Sequence, residues 1–407
     1  MKILQINCVY KQGSTGKIVR DIVSVLSGSG YACVVCYGRG QREKSPGVYK
    51  TSYEVTAKIN AFKSRITGLQ YNGAFLSTNK LLHIIKKEKP DIVHLHCING
   101  FFVNIYRLLK FLKKNKIQTV LTLHAEFMYT GSCGHSITCN KWAASDGCRD
   151  CPQLHAATYS WIFDRTHTAW LKMKKAFQDY DNLVIVSVSP WLMERAKQSV
   201  ILSGKVHKTV LNGIDTAIFK PCCFSQLKER LSLTNERILL HVTPDFTSDM
   251  KGGKYIRELA DRLKGKNIIL LVIGNTDQRL KLPSNIIDIG RISKPEELAV
   301  YYSMADLTIL TSRRETYSMV CAESLSCGTP VVGFQAGAPE QIALPEYSKF
   351  VTYADMQALL ETVLEWCDKK STLFPSLAAE AEACYSKERM TNDYLAIYRQ
   401  MEESDKQ

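Results

Sequence analysis

Short apolar, largely β-branched runs alternate with stretches of helical period along nearly the whole chain. That alternation predicts βαβ units and parallel sheets, hence an α/β fold. The candidate strands of the first half are Lys2–Asn7, Ala32–Tyr37, Ile92–Leu95, Gln118–Leu123, Leu183–Ser187 and Thr209–Leu211. Those of the second half are Ile238–Val242, Ile268–Ile273, Ile286–Ile289, Leu307–Leu310 and Pro330–Gly333. Two such sets in 407 residues predict two doubly wound, Rossmann-like domains, each long enough to bury its own core. The expected boundaries are 1–218 and 225–384, with a linker at Phe219 to Phe224, where a turn and Pro221 interrupt the pattern. A last segment, 385–407, carries a helical stretch from Lys387 to Glu403. Sheets of this kind bind ligands at the carboxyl ends of their strands.

Composition changes this picture little, with 45% hydrophobic and 23% charged residues. The opening MKILQINCVY reads as a buried strand rather than a signal peptide, because Gln5 and Asn7 interrupt the apolar run. The run Ile268–Ile273 is far too short to span a bilayer. These features predict a cytoplasmic protein, at most peripheral on the inner membrane face. Charge adds more. A net charge of +14, from 53 basic against 39 acidic residues, points to a polyanionic partner: membrane lipid, nucleic acid or a phosphorylated substrate. The segment 104–116, NIYRLLKFLKKNK, alternates apolar and basic residues at helical spacing. Such a helix either packs its apolar side on the core and solvates its charges, or docks on an anionic membrane surface. Nucleic acid is not expected, since no binding module accompanies the charge.

The chemistry concentrates between Arg313 and Phe334, RRETYSMVCAESLSCGTPVVGF. Ser318 can cap a short helix, Gly328 and Pro330 mark its end, and Val331–Phe334 reads as a strand. The free amides of such a helix start, at Tyr317, Ser318 and Met319, suit a phosphate. Glu315 and Glu323 flank that start and suit ligand hydroxyls, which need strong acceptors. A sugar attached to a diphosphate presents both kinds of group. Near the amino terminus, Gly13-Ser14-Thr15-Gly16 lies between the first strand and a helix predicted over Lys17–Leu26. Its glycines let backbone approach a ligand, although it lacks the full dinucleotide fingerprint and also reads as a plain strand-to-helix turn.

The segment from Arg313 resembles the E-x7-E signature of retaining glycosyltransferases of family GT4. Gly337-Ala338-Pro339-Glu340, Gly290-Arg291-Ile292, Lys251-Gly252 and Asn212-Gly213-Ile214-Asp215 stand at that family's spacing, so the resemblance covers nearly the whole chain. It implies the GT-B architecture, two facing Rossmann-like domains with a cleft between them, and a last helix that crosses back to the first domain. It also implies transfer of a sugar from a UDP- or GDP-linked donor to a glycan or lipid-linked acceptor of bacterial surface polysaccharide, with no cofactor required for catalysis. The roles it implies are donor-sugar contact by His124 and Glu315, donor phosphates against Gly13, Gly16 and Lys251, the base near Arg291, and the ribose on Glu323. Tyr317, Ser318 and Met319 would present the amides. Two features depart from the family pattern. Ala125 and Glu126 replace the acidic residue that follows the histidine, and no arginine lies between His241 and Met250. Thr243, Thr247 or Arg291 are the candidates to fill that gap. His94 and His96 share a strand face and have a lesser claim on the acceptor.

Fourteen cysteines in a cytoplasmic protein argue against disulfides. Four of them, Cys133, Cys139, Cys148 and Cys151, fall in one loop over 131–153, with His135 and His155 nearby. Their spacing suits a structural zinc as well as it suits reduced thiols packing a loop. Two other functions fit parts of the pattern: a GT-B nucleotide-sugar epimerase, and a non-enzymatic, basic, zinc-containing protein that binds nucleic acid or membrane.

Overall fold

The computed structural model describes residues 1–277, 279–369 and 376–405. They divide into two compact units, one of Met1–Leu211 with the chain from Met390 onward, the other of Asn212–Arg389.

The first unit is built on seven strands: β1 (Lys2–Asn7), β2 (Ala32–Tyr37), β3 (Val48–Lys50), β4 (Ile92–Leu95), β5 (Gln118–Leu123), β6 (Leu183–Ser187) and β7 (Val206–Thr209). They form one parallel sheet in the order β3-β2-β1-β4-β5-β6-β7. The order reverses between β1 and β4, so the crevice for ligands lies at the carboxyl ends of those strands. Strands buried on both faces read as near-continuous apolar runs with few polar interruptions, which is why β1, β4 and β5 stood out in the sequence. The helix Lys387–Asp405 belongs to this unit from Met390. Its Met390, Tyr394, Ile397, Tyr398 and Met401 pack with Ile3, Ile92, Val120 and Val186 from the strands.

The second unit has six strands: β8 (Arg237–Val242), β9 (Ile268–Ile273), β10 (Ile286–Gly290), β11 (Leu307–Leu310), β12 (Val331–Phe334) and β13 (Ser348–Val351). Their order is β10-β9-β8-β11-β12-β13, again all parallel, with the reversal between β8 and β11. Leu239, Leu270, Leu307, Ile309 and Val332 from the sheet bury against Ile256, Leu259, Leu359 and Val363 from its helices.

Three local expectations change. β3 and β13 were not anticipated, because both are short and only partly buried, so neither carries a continuous apolar signal. β7 lies at Val206–Thr209, earlier than the apolar triplet Thr209–Leu211 suggested. The segment 212–218 belongs to the second unit, where Ile214 bridges to Ser386 and Asp215 accepts from Lys387 Nζ at 2.6 Å.

The basic helix runs over Ile105–Lys114, capped by Asn104, whose side chain accepts from Arg107 N. Ile105, Leu108, Leu109 and Leu112 are all buried. The apolar stripe therefore serves the core, and only the basic side faces outward. Among the described residues no helix is long and apolar enough to cross a membrane.

Candidate active site

In the second unit the chemistry gathers where the strand order reverses. After β8 the chain turns through Lys251 and Gly252 into the helix Gly253–Arg262. Gly252 is left-handed (φ +72°), and a Cβ there would stand 2.1 Å from Thr311 O. Only glycine permits that approach. Thr311, just past β11, locks the turn by donating its hydroxyl to Gly252 O at 3.0 Å and Lys251 O at 3.3 Å. Four residues on, Glu315 is pinned by its backbone: its N–H donates to Ala336 O and its carbonyl accepts from Ala338 N. The two turns bring Lys251 Nζ to 2.6 Å from Glu315 Oε1, with both side chains partly exposed.

The loop from Glu315 enters the helix Met319–Ser326. Ser318 caps it, accepting from Cys321 N at 3.2 Å. The first turn keeps backbone N–H groups that no helical carbonyl can reach. Tyr317 is buried and its hydroxyl donates to Asn212 O at 2.8 Å, so only its backbone remains for a ligand. Burial also pushes that phenol well above its usual pKa. Glu323, on the same helix, accepts from Tyr302 OH at 3.0 Å. Glu340 clasps the loop after β12, accepting from Ala336 N at 3.0 Å and Gly337 N at 2.9 Å. Arg291 stands apart from this group, exposed at the carboxyl end of the edge strand β10.

At the position without the family arginine, the end of β8 presents His241, which is buried and bonded through Nδ1 to Ile309 O at 3.0 Å. Burial lowers its pKa to about 4, so it is neutral and adds no charge beside Lys251. Thr243 and Thr247 are engaged with Asp245.

In the first unit, Gly13 opens the helix Gly13–Gly28, a turn earlier than predicted, and Gly16 packs against the backbone of Val9 and Lys11. His124 follows β5 and heads a chain of buried polar groups. Its Nε2 lies 3.3 Å from His96 Nδ1, and His96 Nε2 lies 2.7 Å from Gln5 Oε1. Beside them His94 bridges Tyr398 OH at 2.6 Å and Thr122 Oγ1 at 2.7 Å. Burial lowers all three imidazoles, His124 to about 4. His94 and His96 are thus structural supports in the core, and His124 is the member nearest solvent.

Glu126 does not substitute for the acidic neighbour of the histidine. Its carboxylate is fully buried and is taken up by Arg195 Nε (2.5 Å), Ser136 N (2.6 Å) and Tyr129 OH (3.1 Å). It anchors the cysteine-rich loop. Among the described residues no group of three or more His, Cys, Asp or Glu is placed to hold an ion. Cys133 Sγ donates to His135 O, and Cys148 Sγ accepts from Gly131 N. The loop is filled by aromatic packing, with Trp142 edge-on to Tyr129.

Residues 226–380 match the family model described as glycosyl transferases group 1, and residues 15–218 match that of glycosyltransferase family 4. The chain belongs to glycosyltransferase family 4. It is 24% identical over 427 aligned positions to the putative colanic acid biosynthesis glycosyl transferase WcaC of Escherichia coli, covering 98% of this chain and all of WcaC. Among solved structures it resembles sucrose-phosphate synthase from Thermosynechococcus elongatus, with a TM-score of 0.69 at 18% identity, covering 98% of each chain. It also resembles Anabaena HepE in complex with UDP-glucose, with a TM-score of 0.64 at 16% identity, covering 99% of each. The fold is thus GT-B and the protein is a glycosyltransferase of family 4, whose transfer chemistry needs no cofactor. Neither the epimerase nor the binding-protein reading gains support from these relatives.

Tyr302, Thr311 and the clasp by Glu340 escaped the sequence reading. Tyr302 and Thr311 act on partners 21 and 59 residues away, and no local pattern announces such a contact.

Proposed function

We propose that this glycosyltransferase moves a sugar, with retention at the anomeric carbon, from a nucleoside diphosphate to a hydroxyl of a glycan or lipid-linked acceptor in surface polysaccharide synthesis. The observation that carries this is the Lys251–Glu315 pair at the strand-order reversal of the second sheet. A cation and a carboxylate side by side suit a ligand with a diphosphate next to a hydroxyl-rich ring. The bound UDP-glucose of HepE and the polysaccharide role in the name of WcaC support the same donor and pathway class.

In this reading the donor takes over both partners of the pair. Lys251 meets the diphosphate and offsets negative charge as the glycosidic bond breaks. Amides of Tyr317, Ser318 and Met319 add the positive end of a helix. Glu315 accepts from hydroxyls of the donor sugar, and Glu323 from the ribose. His124, neutral at working pH, contributes a hydrogen bond rather than a charge. The acceptor hydroxyl attacks on the face the diphosphate leaves, and a phosphate oxygen takes its proton. The protein's share is positioning and charge stabilisation. Gly13 and Gly16 let backbone approach the phosphates, and Arg291 lies against the base. An acceptor carried on lipid would place the enzyme at the inner membrane face, with the outward side of helix 105–114 supplying charge.

Calorimetry with UDP, GDP and their sugar conjugates tests this. One nucleotide should bind tightly to the wild type, and the extra affinity conferred by its sugar should vanish in Glu315→Ala. Folded protein that binds no nucleotide would overturn the donor site.

A further inference from the structure

Every exposed large apolar side chain among the described residues belongs to the first unit, and eight of the thirteen come from two short segments, 53–62 and 159–163. The first segment enters the helix Glu54–Thr67, which is amphipathic in reverse. Its buried positions are Ala57 and Ser64, and Asn60 donates to Phe101 O. Val55, Ile59 and Phe62, one stripe at helical spacing, are 68%, 49% and 54% exposed. The second segment is Tyr159-Ser160-Trp161-Ile162-Phe163, in which only Ser160 is buried.

The two segments are one surface. Trp161 N donates to Arg65 O at 2.7 Å, and the Phe62 and Trp161 rings meet edge to face at 5.8 Å. Gly68, left-handed at φ +69°, ends the helix where a Cβ would stand 2.3 Å from Phe163 O. The loop is therefore seated against the helix end, and the apolar side chains are held outward by structure.

Charge selects the occupant. Lys58 and Lys63 flank the stripe on either side, and the Arg65 and Arg165 guanidiniums lie 5.5 Å from the Trp161 and Phe163 rings. The acid within these segments, Glu54, and the one that follows them, Asp164, are already committed. Glu54 accepts from Gly40 N and Arg39, and Asp164 from Cys151 N and Thr166. Aromatic and aliphatic side chains ringed by cations, with carboxylates satisfied internally, match the boundary between anionic headgroups and acyl chains. A second copy fits poorly, because a twofold contact would set these same cations against one another.

We infer that this face, helix 54–67 with loop 159–163, docks the enzyme on an anionic phospholipid bilayer. The inference rests on the membrane-linked reading of the acceptor and gives it a surface. The buried stripe of helix 105–114 cannot insert, whereas this one can.

The test is co-sedimentation with vesicles of phosphatidylcholine alone and of equimolar phosphatidylcholine and phosphatidylglycerol. The proteins are wild type and the double variant Ile59→Glu, Ile162→Glu. Both positions are about half exposed or more, so the variant should keep its melting temperature and its nucleotide affinity. The wild type should bind the anionic vesicles, and the variant should bind them at least about tenfold more weakly. Equal binding by the variant would overturn this surface while leaving membrane association to the basic helix. A wild type that binds neither vesicle would overturn both. A dimer in gel filtration that the variant dissolves, without vesicle binding, would give the surface to a second copy.

Discussion

Lys251 Nζ lies 2.6 Å from Glu315 Oε1, across 64 residues of sequence, and neither side chain is fully buried. A pair this accessible adds little stability, on the order of 0–1 kcal/mol. In the proposed reaction its worth is in catalysis. Glu315→Ala and Lys251→Ala should each lower kcat/KM for the donor by roughly a hundredfold or more. Melting temperatures should stay within a few degrees of the wild type. Steady-state kinetics and calorimetric melting check this, and a large loss of stability with intact turnover would contradict it.

Gly252 sets the direction of Lys251. Gly252→Ala forces a Cβ onto Thr311 O, so the turn must open, at a cost of roughly 1–3 kcal/mol. KM for the donor should rise. Gly265→Ala is the control: its φ is +79°, but nothing lies within 4 Å of the added Cβ. It should cost about 1 kcal/mol and leave the kinetics unchanged.

Arg195 is the cation for a wholly buried carboxylate, and its guanidinium also lies over Trp142. Removing it alone strands Glu126. Arg195→Ala should therefore destabilise the protein by about 3–5 kcal/mol. Adding Glu126→Gln should recover part of that, because the stranded charge is gone. Urea denaturation followed by tryptophan fluorescence measures both.

The histidine chain predicts a pH dependence. His124 has a folded pKa near 4, below its unfolded value near 6.5, so the folded state holds fewer protons. Stability is then complete above about pH 6.5 and is lost as pH falls towards 4. For His124 alone the loss reaches on the order of 2 kcal/mol at pH 5. His94 and His96, lowered for the same reason, add to it. Melting temperature should fall between pH 7 and 5, and His124→Gln should flatten that slope. An equally steep slope in the variant would rule out this source.

Strands β1, β4, β5, β8, β9 and β11 were legible in the sequence because strands buried on both faces are largely apolar along their length. So was the helix Met319–Ser326, because a serine cap and a glycine stop act within a few residues. Those features, the two α/β domains and the pairing of glutamates around a helix start, the sequence determined by itself. Tertiary structure decided the rest. Helix 105–114 and helix 54–67 both alternate apolar and polar residues, and nothing local says which face turns inward. Packing sent the leucines of the first into the core and the Val55–Phe62 stripe of the second outward. Glu126 became a structural anchor because Arg195, 69 residues away, reached it. Cys133 and Cys148 took backbone partners, His135 O and Gly131 N, that no spacing of cysteines announces. Periodicity and caps are short-range energies written in neighbouring residues. The partner of a buried charge or an amphipathic face is set only when distant segments meet and exclude water between them.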